Sequence, residues 1–426
     1  MTANIYGIQN DNPHISLPPA CLAKDNGFVK LTHFLRKTMA AAMVSYRPGA
    51  AKPEVDRTRW KQQRIALVKV DGIGDFVLAT TFLQIFKNRA AGSDVTLFCQ
   101  RPVGEIARQQ FPAWTVIEIP AQQTPLRSIY FDGPTRRRLK SQRPFDLLVD
   151  LRAYRNMRDS AVASWIPAKT KIALQNAYPE SQAWVKCPAE ERIYDRLLPL
   201  PDYAGSSTVR DIQNHRLLAE YFFPNLPDCR SALPKLAVTQ LEKERLVQRF
   251  SPKLDGPFLL VCPGASSPIR EYPVKSLATA IFQLLEEQEV PVVIAGGKSD
   301  ARTTLPLTEA LKGATAPLNL SGQLNLAEHV ALISLSPAVL TMETAHAHIA
   351  GALGVPAVVI TGGGHYGIFA PWAESQNFRW LVNPLPCFGC GWRCIYDRPL
   401  CIQDILPARI AGNLMEILKG GSRTRQ

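Results

Sequence analysis

No run of about twenty apolar residues occurs in the 426-residue chain, which argues against a helix that crosses a bilayer. The opening MTANIYGIQNDNPH has neither the basic nor the apolar region of a secretory leader, so a cytoplasmic protein is expected. Also absent are the G-x-G-x-x-G of nicotinamide and flavin enzymes and the G-x-x-x-x-G-K-[ST] of ATPases, which removes the main support for redox and phosphoryl-transfer readings. The one dense basic run, TRRRLKSQR at 135–143, has no aromatic platforms interleaved with it, so no nucleic-acid partner is expected. Low-complexity segments and short-period repeats are missing as well.

What remains is an ordinary globular composition, 46% hydrophobic and 20% charged, in a chain longer than one core usually supports. Two domains are the expectation. The formal charge of +13 points to anionic partners without choosing among them. Apolar runs alternate with helical patterns from residue 64, and again from FLLVCPG onward, so two parallel, doubly wound α/β sheets are predicted. The expected bounds are an extension at 1–60, a first domain at 61–245, a second at 246–405, and a C-terminal helix with a flexible tail at 406–426. In the extension, Phe28, Leu31, Leu35 and Met39 share one helical face. Such a helix packs on the protein or on a neighbouring subunit of a homo-oligomer, or lies on the membrane as a peripheral contact.

Chemistry is expected where strands end. Residues 70–81 read VDGIGDFVLATT: a strand runs into a Gly-rich turn and a helix start that carries Asp75. A carboxylate there is favoured by the helix dipole, and in a ligand crevice it suits a base. Three later loops suit a nucleotide. CPGASSPIREYP offers Gly264 for close backbone approach, Ser266 and Ser267 as donors, and Arg270 as a fork for phosphate. AGGKSD offers Gly296, Gly297 and Asp300, and in METAHAHIAG either Glu343 or Thr344 is expected to cap a helix whose first N–H groups face an anion. Sheets of this kind bind ligands beyond the carboxyl ends of their strands, which predicts one ligand in a cleft between two facing domains.

Together, VDGIGDFVLATT, CPGASSPIREYP, NLSGQLNLAEHVALIS and TMETAHAHIAGALGVP resemble glycosyltransferase family 9, the heptosyltransferases, over roughly residues 64–405. The resemblance implies a GT-B fold, an ADP-heptose donor held by the C-terminal domain, an acceptor at the N-terminal domain, and inversion at the anomeric carbon with no catalytic metal. Asp75 would be the general base, with Gly74 beside it in the acceptor site. Arg270 and the helix start at Thr344 and Ala345 would stabilise the departing diphosphate. Leu324 matches an apolar residue near the adenine, Asp300 lies where an acid could hold the ribose, and His348 matches a histidine that meets the donor or packs in the core. This chain departs from the family where Arg270 replaces a usual Lys and where Glu343, Thr344 and Ala345 replace Asp-Thr-Gly. Another nucleotide sugar therefore stays open, and so does a scaffold that binds nucleotide sugars without turnover.

The acceptor is expected to be an anionic glycan or glycolipid such as the lipopolysaccharide core, met at the inner membrane. Arg152, Arg155 and Arg158 follow a strand of the first domain and are the expected acceptor contacts; the basic run reads either as a second anionic contact or as a solvated face. Cys387, Cys390, Cys394 and Cys401 form a C-x₂-C-x₃-C-x₆-C run compact enough for four thiolates around one structural zinc or iron, or else packed as free thiols. The other cysteines, Cys21, Cys99, Cys187, Cys229 and Cys262, are scattered. A similar iron-binding cysteine motif marks the family branch that glycosylates autotransporter proteins, which keeps a protein acceptor open. His346 and His365 read as lining the cleft mouth, not as metal ligands.

Overall fold

The computed structural model describes residues 44, 60–121, 125–178, 186–187, 190–203 and 208–423. The expected N-terminal amphipathic helix lies outside them except for Val44, as do tail residues 424–426. The chain divides into a first unit that ends at Pro201 and is rejoined by Asp211–Ala237, and a second made of Asp202–Arg210 and the chain from Val238 onward.

Six parallel strands form the first unit's sheet: β1 Arg64–Lys69, β2 Asp94–Gln100, β3 Thr115–Ile119, β4 Phe145–Asp150, β5 Ala168–Leu174 and β6 Arg196–Leu198. Their order is β3-β2-β1-β4-β5-β6. The second unit repeats the plan with β7 Leu259–Cys262, β8 Val292–Ile294, β9 Leu318–Asn319, β10 Ala338–Met342, β11 Ala357–Ile360 and β12 Phe378–Leu381, in the order β12-β11-β10-β7-β8-β9. The central-strand runs IALVK, LLVC and AVVI are apolar except for Lys69 at the end of β1 because helices cover both faces, and all three are fully buried. In each sheet the strand order reverses at the first strand, between β1 and β4 and between β7 and β10. Loops leaving the two strands at such a point turn to opposite faces and open a crevice.

Packing sets the boundaries of the units. Helix Arg210–Phe222 brings Phe222 and Phe223 onto Trp60 and Phe86 in an aromatic cluster, which ties the returning segment to the first unit. The second unit takes in the expected C-terminal helix. On helix Pro407–Arg423, Ile410, Leu414 and Ile417 share one core with Leu277, Ile281 and Leu284 of helix Val274–Glu287, so the segment is part of the unit and no appendage.

One expected acceptor contact is corrected here. Arg155 has no exposure; its guanidinium donates to Glu190 at 2.8 Å, to the Leu174 carbonyl at 2.8 Å and to the Arg152 carbonyl at 2.6 Å. Glu190 also accepts from Ser160 and Asn176. The arginine therefore fastens the loop after β4 to the far edge of the sheet and offers no charge to a ligand. Removing one partner of a buried pair strands the other, at a cost of about 3–5 kcal/mol. Arg155→Met should accordingly lower the first unit's unfolding free energy by that amount, read as a lower urea midpoint at unchanged slope, and an unfolding free energy within about 0.5 kcal/mol of the parent's would contradict this role.

Candidate active site

The first crevice begins with the turn after β1. Helix Ile73–Arg89 has Gly72 as N-cap with no side-chain cap, and Asp75 is its third residue. The Asp75 carboxylate folds back over the turn: a Cβ added at Gly72 would sit 2.7 Å from Asp75 Oδ2. A larger residue at Gly72 would push the carboxylate aside, and the carboxylate lies at the positive end of the helix. Asp75 itself is half-buried.

Behind it is an ionic cluster that sequence reasoning missed, although KVDGIGD contains half of it. Lys69 Nζ lies 2.9 Å from Asp71 Oδ2, with both side chains almost fully buried. Arg152 Nε approaches the same oxygen at 3.5 Å, and its NH1 meets Asp159 Oδ2 at 2.6 Å. Asp159 is set by a capping box in which Asn156 accepts from the Asp159 amide and Asp159 accepts from the Asn156 amide. Burial pushes the Asp71 and Asp159 carboxyls up, against Lys69 for the one and Arg152 for the other. Burial also pulls Lys69 down, but the carboxylates of Asp71, Asp211 and Asp75 outweigh it and the net shift is upward. Asp75 likewise acts electrostatically on Arg152 and Tyr178.

Of the expected acceptor residues, Arg152 keeps 19% side-chain exposure and Gly74 stays half-buried in the turn. Arg158 is 5% exposed and donates to the Pro120 carbonyl at 2.7 Å, so it too is turned inward. In the basic run Arg137, Arg138 and Lys140 are exposed and Arg138 donates to the Glu118 carbonyl, the character of a solvated face.

In the second unit the three loops lie against one another. Asp300 lies against Gly264 and Gly296, where added Cβ atoms would come within 2.4 Å and 2.7 Å of its side chain, and its Oδ2 accepts from the Gly297 amide at 2.8 Å. Ser266 is exposed and Ser267 half-buried. Arg270 donates to the Glu343 carbonyl oxygen and to Ser266 Oγ at 3.3 Å, lies 3.7 Å from the Glu343 carboxylate, and stacks over the Trp392 ring at 5.1 Å. Its Nε has no hydrogen-bond partner among the described residues. Leu324 is half-buried just before the capping box of Asn325 and Glu328 on helix Leu326–Leu335.

Two expectations in this unit change. Neither Glu343 nor Thr344 caps helix Ala345–Leu353 through its side chain. The Glu343 carboxylate accepts from Thr361 at 2.5 Å, and burial pushes its pKa up against the pull of Arg270. Thr344 Oγ1 meets the Met342 carbonyl at 3.4 Å and His346 Nδ1 at 3.0 Å. The first amides of the helix thus have no side-chain cap, beside the half-buried Ala345. His348 is a core residue, 6% exposed, accepting from Trp372 Nε1 at 2.9 Å. That bond and its burial replace the expected donor contact.

The four clustered thiols, half-buried and joined in no disulfide, line a single cavity with Trp392, Gly363 and Gly364. Burial raises Cys390 and Cys401. Trp392 also donates to His365 Nδ1 at 3.2 Å, and burial pushes His365 down to about 4. A different group, Cys262, His329 and His346, has its ligand atoms within 4.8 Å of one another.

Comparison with known proteins supplies the family. The model of glycosyltransferase family 9 (heptosyltransferase) matches residues 152–393. Lipopolysaccharide heptosyltransferase 2 of Salmonella typhimurium and of Escherichia coli are each 30% identical over 132 residues, covering 30% of this chain and 38% of theirs. The match thus spans well under half the length of these relatives. Among solved structures, a family 9 glycosyl transferase from Veillonella parvula superposes with a TM-score of 0.64 at 16% identity, over 86% of this chain and 99% of that one. The ADP-heptose lipopolysaccharide heptosyltransferase II of E. coli gives 0.60 at 18% identity, over 84% and 99%. The two repeated sheets are those of the GT-B fold, and the chain belongs to glycosyltransferase family 9, the heptosyltransferases.

Proposed function

We propose that the protein is an inverting glycosyltransferase that moves heptose from ADP-heptose to an anionic surface glycan, with the lipopolysaccharide core as the favoured acceptor. What supports this is found in each unit by itself: Asp75 at a helix N-terminus with a buried ionic cluster behind it in the first, and Arg270 beside an uncapped helix start in the second. Asp75 takes the proton of the acceptor hydroxyl as that oxygen bonds to the anomeric carbon. In the same displacement the bond from that carbon to the diphosphate breaks, and ADP leaves. Arg270 and the first amides of helix Ala345–Leu353 receive the charge that develops on the phosphate. Asp300 and Leu324 are the proposed ribose and adenine contacts.

Cys387, Cys390, Cys394 and Cys401 would hold a structural zinc or iron, since four thiols on one cavity suit a closed site that orders its loop. The same four thiols favour a second reading, in which the acceptor is a surface protein. Mass spectrometry of glycans and surface proteins from cells with and without this chain decides between the acceptors. Binding of ADP without consumption of ADP-heptose in any acceptor extract would overturn transfer itself and leave a scaffold.

Asp75→Asn should lower the transfer rate by about 10² to 10⁴, the worth of a positioned base, while losing one helix-dipole interaction of about 0.3–1 kcal/mol. A rate equal to the parent's, at an equal melting temperature, would remove Asp75 from the role of base. Arg270→Ala gives up a charge-assisted bond worth about 1.5–3 kcal/mol, so calorimetry should find ADP bound about 10- to 100-fold more weakly. Trp392→Leu should weaken it only a few-fold, the scale of a cation–π contact. Unchanged ADP affinity in Arg270→Ala would refute the donor assignment.

A further inference from the structure

We propose that Cys262, His329 and His346 form a binding site for one divalent ion of the zinc class, separate from the four-cysteine cavity. The residues come from three elements of the second unit: the last residue of β7, the fourth of helix Leu326–Leu335 and the second of helix Ala345–Leu353. Their ligand atoms lie within 4.8 Å of one another, and Cys262 Sγ is 3.9 Å from His329 Nε2. With Zn–S near 2.3 Å and Zn–N near 2.0–2.1 Å, a tetrahedral ion separates sulfur from nitrogen by roughly 3.5 Å, so the Cys262–His329 pair needs to close by a few tenths of an ångström and no pair by much more than about 1 Å.

Hydrogen bonding is compatible with a ligating nitrogen. Thr344 Oγ1 donates to the Met342 carbonyl at 3.4 Å and lies 3.0 Å from His346 Nδ1. In the tautomer with the proton on Nδ1, Nε2 is the ligating nitrogen and the threonine is the outer partner that metal-bound histidines usually have. The rings of His329 and His346 pack with centroids 4.6 Å apart and an interplanar angle of 35°. A weak thiol bond from Cys262 to His329 accounts for two of the residues; it gives no reason for a second imidazole at that distance.

The donor set selects the ion. One thiolate and two imidazoles suit zinc, cobalt or copper, while magnesium and calcium need oxygen ligands. Three protein ligands leave a fourth position for water or another oxygen. The Asp300 carboxylate, within Coulombic reach of both Cys262 and His346, adds further attraction for a cation. Binding would release the Cys262 thiol proton and tie the end of β7 to the starts of two helices. The site would thus fasten together the loops that carry Gly264 and Thr344.

The test uses the full chain purified without a histidine tag, stripped with chelator and titrated with cobalt(II) and then zinc(II). The expected result is two ions per chain in the parent and one in a Cys390→Ser/Cys394→Ser variant, where the remaining ion gives a thiolate charge-transfer band and mixed nitrogen and sulfur ligation by X-ray absorption. His346→Gln, checked for folding by its melting temperature, should weaken that ion by at least about 100-fold, and Thr344→Val, which removes only the outer partner, by about 10- to 100-fold. Metal content and cobalt spectra identical in parent, His346→Gln and Thr344→Val would overturn the proposal. So would loss of all bound metal in the Cys390→Ser/Cys394→Ser variant. None of these readouts depends on transfer activity, so failure here leaves the glycosyltransferase reading standing.

Discussion

At the ends of β1 and β4 two cations and two carboxylates share a corner from which water is nearly excluded, and the first unit's site depends on their balance. Lys69 and Asp71 are buried together, and Arg152 bridges Asp71 to Asp159. Any one of these charges alone would cost several kcal/mol in that environment, so each is tolerable only while its partners stay. Lys69 sits on the last position of a central strand and cannot leave, which holds Asp71 and so the backbone that follows it. The Gly72 turn and the helix start are thereby fixed, and Asp75 inherits its place from an ionic constraint two layers behind it.

The second unit reaches a comparable end by other means. Arg270 is held through its guanidinium by the Glu343 carbonyl and by Ser266, and is covered on one face by Trp392. Trp392 belongs to the cysteine-rich segment, whose Phe388 and Trp392 lie so close over Gly363 and Gly364 that a Cβ there would meet them at 2.2 Å and 2.3 Å. That glycine run is therefore a seat for the segment. Whatever orders the four thiols also positions the ring over Arg270, so the cysteine cluster and the phosphate-facing loop are parts of one packing unit.

The two sheets could be read from the sequence because fully buried parallel strands write themselves as apolar runs between helical periods. Strand order could not, since pairing joins segments that share no local signal: Ile65 faces Leu147 and Leu340 faces Val261. The placement of Asp75, Arg270 and Asp300 just past strand ends was legible because glycine and proline turns announce those ends. Arg155 and Arg158 were misread for the converse reason. Arginines at a regular spacing after a strand say nothing of direction, and Arg155 is turned inward by Glu190, which lies far along the chain. Cys262, His329 and His346 escaped notice for the same cause, as three distant segments meet only in the folded unit.

The departure from the family's Asp-Thr-Gly turn has a physical reading in these contacts. The extra methylene of Glu343 lets its carboxylate reach Thr361 beyond the end of β11 and approach Arg270, and away from the helix that follows. Ala345 is the first helical residue, where helical φ and ψ suit any side chain, so its methyl group costs the backbone nothing. What changes is thus the reach of an acid and not the course of the chain, and the helix N-terminus beside Arg270 remains without a side-chain cap. An uncapped helix start next to a permanent cation is where a departing diphosphate would gather charge, which is why the altered turn argues for retained donor binding.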